Sequence, residues 1–209
     1  MLPKDMYKLM LKEYIKPIFK EKGYKKKGNV FVKETDDIVY IIYFLPDRWN
    51  TIDEYGFTID LRVCSKEVLK AIGEPLPNNW FAYNYITPLI ESGLGYLRPF
   101  PLKSDYGIGE NTDINELARE VISDLNEIIF PYVEKLNSYD TIIKELNFLG
   151  LYKASMTHKI TLYFLLNNRE MAQKELLSCL SVKNDNPYYR PKILKIANRL
   201  GLDIPIEQE

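Results

Sequence analysis

Apolar positions along the chain follow two periods. Across residues 29–100 they come in short runs with a period near two, and elsewhere they recur every three or four residues. Residues 4–22 gather Met6, Leu9, Met10, Ile15, Ile18 and Phe19 on one side of a helix, while Lys4, Lys8, Lys12, Lys16 and Lys20 fill a solvated arc. Pro17 removes a helix hydrogen bond and predicts a kink, and Gly23 suits the residue that ends a helix. Residues 29–34 and 38–45 read as strands joined by a hairpin-length turn. The second is apolar on both faces, which predicts a central strand covered on both sides. In residues 57–64, Phe57, Ile59, Leu61 and Val63 point one way, and Thr58, Asp60, Arg62 and Cys64 the other. Residues 94–100 read as a fourth strand, and 102–111 as a loop.

Helical signals fill the rest. Ser65 caps a short helix closed by Gly73. Residues 74–93 read as an aromatic loop with a short helix near 79–91. Thr112 opens a helix with the apolar seam Leu117, Val121, Leu125 and Ile128, which Pro131 ends or kinks. Ser138 opens another that closes at Gly150, and helices at 156–167, 169–182 and 188–200 follow. The expected fold class is α+β: an antiparallel sheet of about four strands packed with helices, then a C-terminal helical extension. Residues 1–150 form the α+β domain and 151–209 the extension packed on it. Phe31, Ile42, Phe57, Ile59, Leu61 and Leu117 are the expected core.

Composition narrows the chemistry more than the fold. The chain is 46% hydrophobic and 27% charged, as a globular protein is. No apolar run approaches the ~20 residues of a membrane span, and the lysine-rich start does not read as a secretion signal, so the expected location is the cytoplasm. One histidine and two cysteines leave no set for a histidine or cysteine zinc site and no histidine pair for acid–base work. No metal, cofactor or catalytic residue is expected. His158, beside Thr157 at a helix start, reads as a surface or capping residue, and Cys64 and Cys179 as small buried apolar groups. Lys25, Lys26 and Lys27 lack the Gly-Lys-Ser/Thr ending of a phosphate loop and read as a solvated turn between helix and strand.

Charge is segregated although the net charge is only −1. Residues 1–33 carry ten lysines against three acids, a local +7; residues 104–134 carry eight acids against Arg119, a local −7. The two segments either compensate each other internally or face partners. Glu116, Glu120 and Asp124 form a helical stripe, and with the aromatic loop at Trp80 and Phe81 they are the candidate protein-binding residues. Asp60, Arg62 and Arg98, with Tyr40 or Tyr43, are the candidate ligand-binding set, because paired guanidiniums on a sheet floor suit a small anion. Nucleic acid is an improbable partner, since the basic stretch is short and the chain near neutral. Oligomeric state is not legible.

The segment from Ile18 to Phe31, with its helix end, Gly23-Tyr24, three lysines and Gly28-Asn29-Val30-Phe31, resembles the opening of Domain of Unknown Function family 4304, an uncharacterised bacterial family. The strand at 57–61 and the residues Gly95-Tyr96-Leu97-Arg98 stand where that family has later strands. The resemblance covers roughly residues 5–150, implies an antiparallel sheet after an N-terminal helix, and transfers no catalytic residue. It adds an expectation of a binding protein, with the immunity type that neutralises a toxin as one form of it. An enzyme or anion binder using Asp60, Arg62 and Arg98 is the alternative.

Overall fold

The computed structural model describes residues 1–82, 84, 86–98, 105–149, 155–181 and 189–204. The chain opens with α1 (Pro3–Met10), a π-turn (Leu11–Ile15) and α2 (Lys16–Glu21), which run on as one helix. At Pro17, where a kink is expected, the helix widens by one residue. Lys16 N–H reaches back five residues to Leu11 O, and this removes the clash between the proline ring and the preceding turn. The same device recurs in the acidic helix: α5 (Ile114–Asp124), a π-turn (Leu125–Ile129) and α6 (Phe130–Lys135). There Phe130 N–H bonds Leu125 O just before Pro131.

Six strands form one antiparallel sheet, more than the expected four. They are β1 (Lys25–Lys27), β2 (Val30–Glu34), β3 (Ile38–Pro46), β4 (Tyr55–Ser65), β5 (Ile90–Gly93) and β6 (Asp105–Ile108). The order is β1-β2-β3-β4-β5, and β6 pairs with the first residues of β4. The three lysines expected in a turn form β1. The fourth strand lies at 90–93, ahead of its expected place: residues 94–97 fold into a short helix, α4 (Leu94–Leu97), with Arg98 N–H on Leu94 O. Pro99 and Phe100 of that expected strand lie outside the described residues. β6 falls within the expected loop. These two strands are only four residues each, too short for alternation to announce them.

Register assigns the two faces. On the inner face, Phe31 lies opposite Ile42, Ile42 opposite Leu61, and Phe44 opposite Ile59. The two proline-bearing helices cover this face. Phe19 stacks on Phe31 at 3.9 Å and meets Phe130 edge-on at 5.1 Å, while Tyr7 packs on Phe57 at 5.1 Å. The six expected core residues are all buried. Each buried aromatic or branched side chain contributes about 1.5–3 kcal/mol. β3 is central and buried on both faces through Phe44.

Ser65 caps α3 (Lys66–Ile72) by accepting from Val68 N–H, and Gly73 closes it at φ +80°. α7 (Tyr139–Leu149), α8 (Ser155–Leu165), α9 (Arg169–Ser181) and α10 (Tyr189–Leu200) complete the described chain. α8 touches α3, α7, α9 and α10. That central position buries His158, which was expected at the surface; the residue is 1% exposed and Nδ1 has no hydrogen-bond partner among the described residues. Burial, and secondarily the charge of Lys192, pushes its pKa down to about 4, so it is neutral. Both cysteines are buried thiols, and burial raises Cys64 to about 12 and Cys179 to about 11.

Candidate functional site

Alternation puts Thr58, Asp60 and Arg62 together on the outer face of β4, turned away from the proline-bearing helices. Pairing adds their neighbours: Tyr43 and Gly93 flank Asp60, Glu91 lies opposite Arg62, and Asp105 opposite Thr58. Arg62 Nε donates to Glu91 Oε1 at 2.8 Å, Nη2 donates to the same oxygen, and the Tyr43 hydroxyl reaches it at 3.3 Å. The guanidinium also lies over the Tyr43 ring at 5.8 Å.

Asp60 differs from its neighbours. Its half-buried carboxylate makes no hydrogen bond or ion pair among the described residues. Burial raises its pKa above the ordinary carboxylate value, Glu91 adds to the rise, and Arg62 opposes it. The carboxylate occupies space that only glycine leaves free: a Cβ on Gly93 would stand 2.6 Å from Asp60 Oδ1. Gly93 has φ −107°, which any residue adopts, so glycine supplies room here rather than conformational freedom. The exposed ring of Tyr96 flanks the same glycine.

Arg98 does not join this face. It sits at the C-terminus of α4 and donates to Asp124 and, at 3.3 Å, to the Tyr106 hydroxyl, which also donates to Asp124. Tyr106 stacks on Phe57 at 5.0 Å, so this cluster lies on the inner side of the sheet. Its side chains are sheltered, Arg98 7% and Asp124 14% exposed. Asp124 is therefore a structural anion and not a free member of the acidic stripe. Tyr40 also points inward, its hydroxyl donating to Leu136 O at 3.0 Å.

Glu116 and Glu120 are exposed on α5. The residue capping this helix is Asp113, accepting from Asn115 and Glu116 N–H, while Thr112 accepts from Gly109 N–H instead. The basic and acidic helices meet in the ion pair Lys22–Glu134 at 3.3 Å, but Lys4, Lys8, Lys12, Lys16 and Lys20 face solvent. Trp80 is buried at 8% exposure and Phe81 is half-buried, so the aromatic loop packs largely inward there; Tyr83 and Tyr85 lie outside the described residues. The exposed tryptophan is Trp49, at the β3–β4 turn, where Asp47, Glu54 and Asp105 line a cleft of about 320 Å³. No three His, Cys, Asp or Glu side chains converge as a metal site among the described residues.

The family model described as Domain of unknown function (DUF4304) matches residues 15–135, more than half of the chain. The chain belongs to that family. The match takes in the sheet, the second π-turn and the Asp60 face, and it ends with α6. No curated protein and no solved structure matches. Sequence reasoning found Asp60 and Arg62 by alternation but missed Glu91 and Gly93. No local signal marks those two, because their role arises from the pairing of β5 with β4.

Proposed function

We propose that this DUF4304 protein is a cytoplasmic binding protein that captures a basic segment of a protein partner on the outer face of β4. The carrying observation is Asp60: a half-buried carboxylate with no donor, raised in pKa, held in a glycine-made notch. A group left so is a cost to the fold unless something else uses it. Arg62 is already engaged by Glu91, so an anion reaching this face has to displace that carboxylate. A lysine or arginine side chain instead finds Asp60 and the Tyr96 ring on one surface. Glu116 and Glu120 add a long-range field that steers a basic partner inward. An immunity-type role, in which a basic toxin surface is masked, is one form of this reading. The chain has no helix among the described residues long and apolar enough to cross a membrane.

The test is fluorescence anisotropy with a labelled Lys/Arg-rich decapeptide and an acidic control peptide. Wild type binds the basic peptide and Asp60→Asn weakens it by about tenfold or more. Equal affinity in the variant, or preference for the acidic peptide, sinks the proposal.

A further inference from the structure

The two proline-bearing helices converge at their C-terminal ends, and a cavity of about 700 Å³ opens between them over the edge of β2 and β3. That volume is in the range of small-molecule sites. We infer that this cavity binds a small amphipathic anion, an aromatic carboxylate or a compound of the same shape and charge. The argument is independent of the Asp60 face.

The acceptors deep in the cavity are already engaged, and Glu21 is the carboxylate left at its mouth. Gly23, at φ +83°, lets α2 close on itself, with Gly23 N–H on Lys20 O and Tyr24 N–H on Phe19 O. Leu136 O, past the end of α6, accepts from Tyr40. Glu134 accepts from Lys22, whose ammonium also sits 4.7 Å from the centre of the Phe130 ring. Glu21 stands at the rim, exposed.

Two donors, on Tyr24 and Lys33, are not engaged. Tyr24 is 7% exposed and lines the cavity, yet its hydroxyl has no hydrogen-bond partner among the described residues. Burial, with Tyr40 and Glu134 nearby, raises its pKa, so it stays a neutral donor. Lys33 lies on the same sheet face, across from Tyr40 in register. It has no carboxylate partner among the described residues, and its ammonium is 5.7 Å from the centre of the Tyr24 ring. A cation and a phenolic O–H thus face one space walled by the rings of Tyr24, Tyr40 and Phe130. The matching ligand carries an anionic head for Lys33 and Tyr24 and a flat apolar body for the rings. A cationic ligand meets an unpaired ammonium there.

Titration calorimetry on the full chain, with 2-naphthoate, 2-naphthamide and 2-naphthylmethylamine as probes, decides the matter. Naphthoate is expected to bind about tenfold more tightly than the amide or the amine. Lys33→Met is expected to lose about tenfold for naphthoate only, and Tyr24→Phe, which keeps the ring, a few-fold. Thermal melts of both variants establish that they fold. Asp60→Asn leaves naphthoate affinity unchanged, which separates this site from the peptide-binding face. Tightest binding of the amine, naphthoate affinity indifferent to both variants, or no saturable binding of naphthoate to the wild type overturns the inference.

Discussion

On the outer face of β4 the donors are engaged and a carboxylate is left over; in the cavity at the helix ends the inner acceptors are engaged and two donors, on Tyr24 and Lys33, are left over. Both regions hold mixed charge, and a census of residue types does not tell them apart. Arg62, Asp60 and Glu91 on one side and Lys22, Lys33, Glu21 and Glu134 on the other look equally suited to either sign of ligand. What separates them is which partners the fold has already supplied. A side chain held by a neighbour must give up that bond before it serves a ligand, whereas an unpartnered one needs none broken. The Arg98 cluster, with donor and acceptor both matched and sheltered, is the third case, and it holds the fold together.

This contrast can be broken experimentally, and the largest effect belongs to the matched cluster. Arg98→Ala leaves Asp124 buried beside Tyr106 without its counter-charge, and a loss of about 3–5 kcal/mol in urea denaturation is expected. A loss under ~1 kcal/mol would show that the cluster is solvated and put Asp124 back in the acidic stripe.

Asp60→Asn should act in the opposite direction on stability. Its folded pKa lies above the unfolded value, so the folded state keeps the proton to higher pH. Stability from this group is therefore full below the ordinary carboxylate range and declines as pH rises through the raised value. The variant should lose that decline and be at least as stable as wild type at pH 7. Denaturant midpoints compared between pH 4 and pH 7 check this; a variant clearly less stable at pH 7 means that Asp60 has a partner in solution.

The smallest effect concerns the exposed stripe. Glu116→Lys with Glu120→Lys should change stability by no more than about 0.5 kcal/mol, because both residues are exposed and surface ion pairs contribute little. The same double change should slow association of the basic peptide at low salt and matter little at high salt, read by stopped-flow. A large stability loss would instead mark the stripe as the internal counterweight of the basic helix.

Local rules were legible in the chain. Ser65 and Gly73 bracket α3, Gly23 and Gly201 end their helices, and the alternation of residues 57–64 placed Asp60 and Arg62 on the polar side. Pro17 and Pro131 were visible as disturbances, yet the π-turn that accommodates each was not, because local sequence does not specify how the backbone relieves a proline. The short strands β5 and β6 escaped because four residues carry too little periodicity, and β1 because three lysines read as a turn.

The sequence by itself determined the kind of element at most positions, the caps, the inner-facing apolar set and the separation of charge between the two long helices. These depend on backbone preference and side-chain period over a few residues. Only the tertiary structure decided that Glu91 engages Arg62, that Arg98 crosses to Asp124 on the other side of the sheet, that Gly93 makes room for Asp60, and that α8 lies amid four helices with His158 inside. Each of these depends on which distant segment lies alongside. That choice follows from burying one continuous apolar surface across the whole chain, which no short window of residues contains.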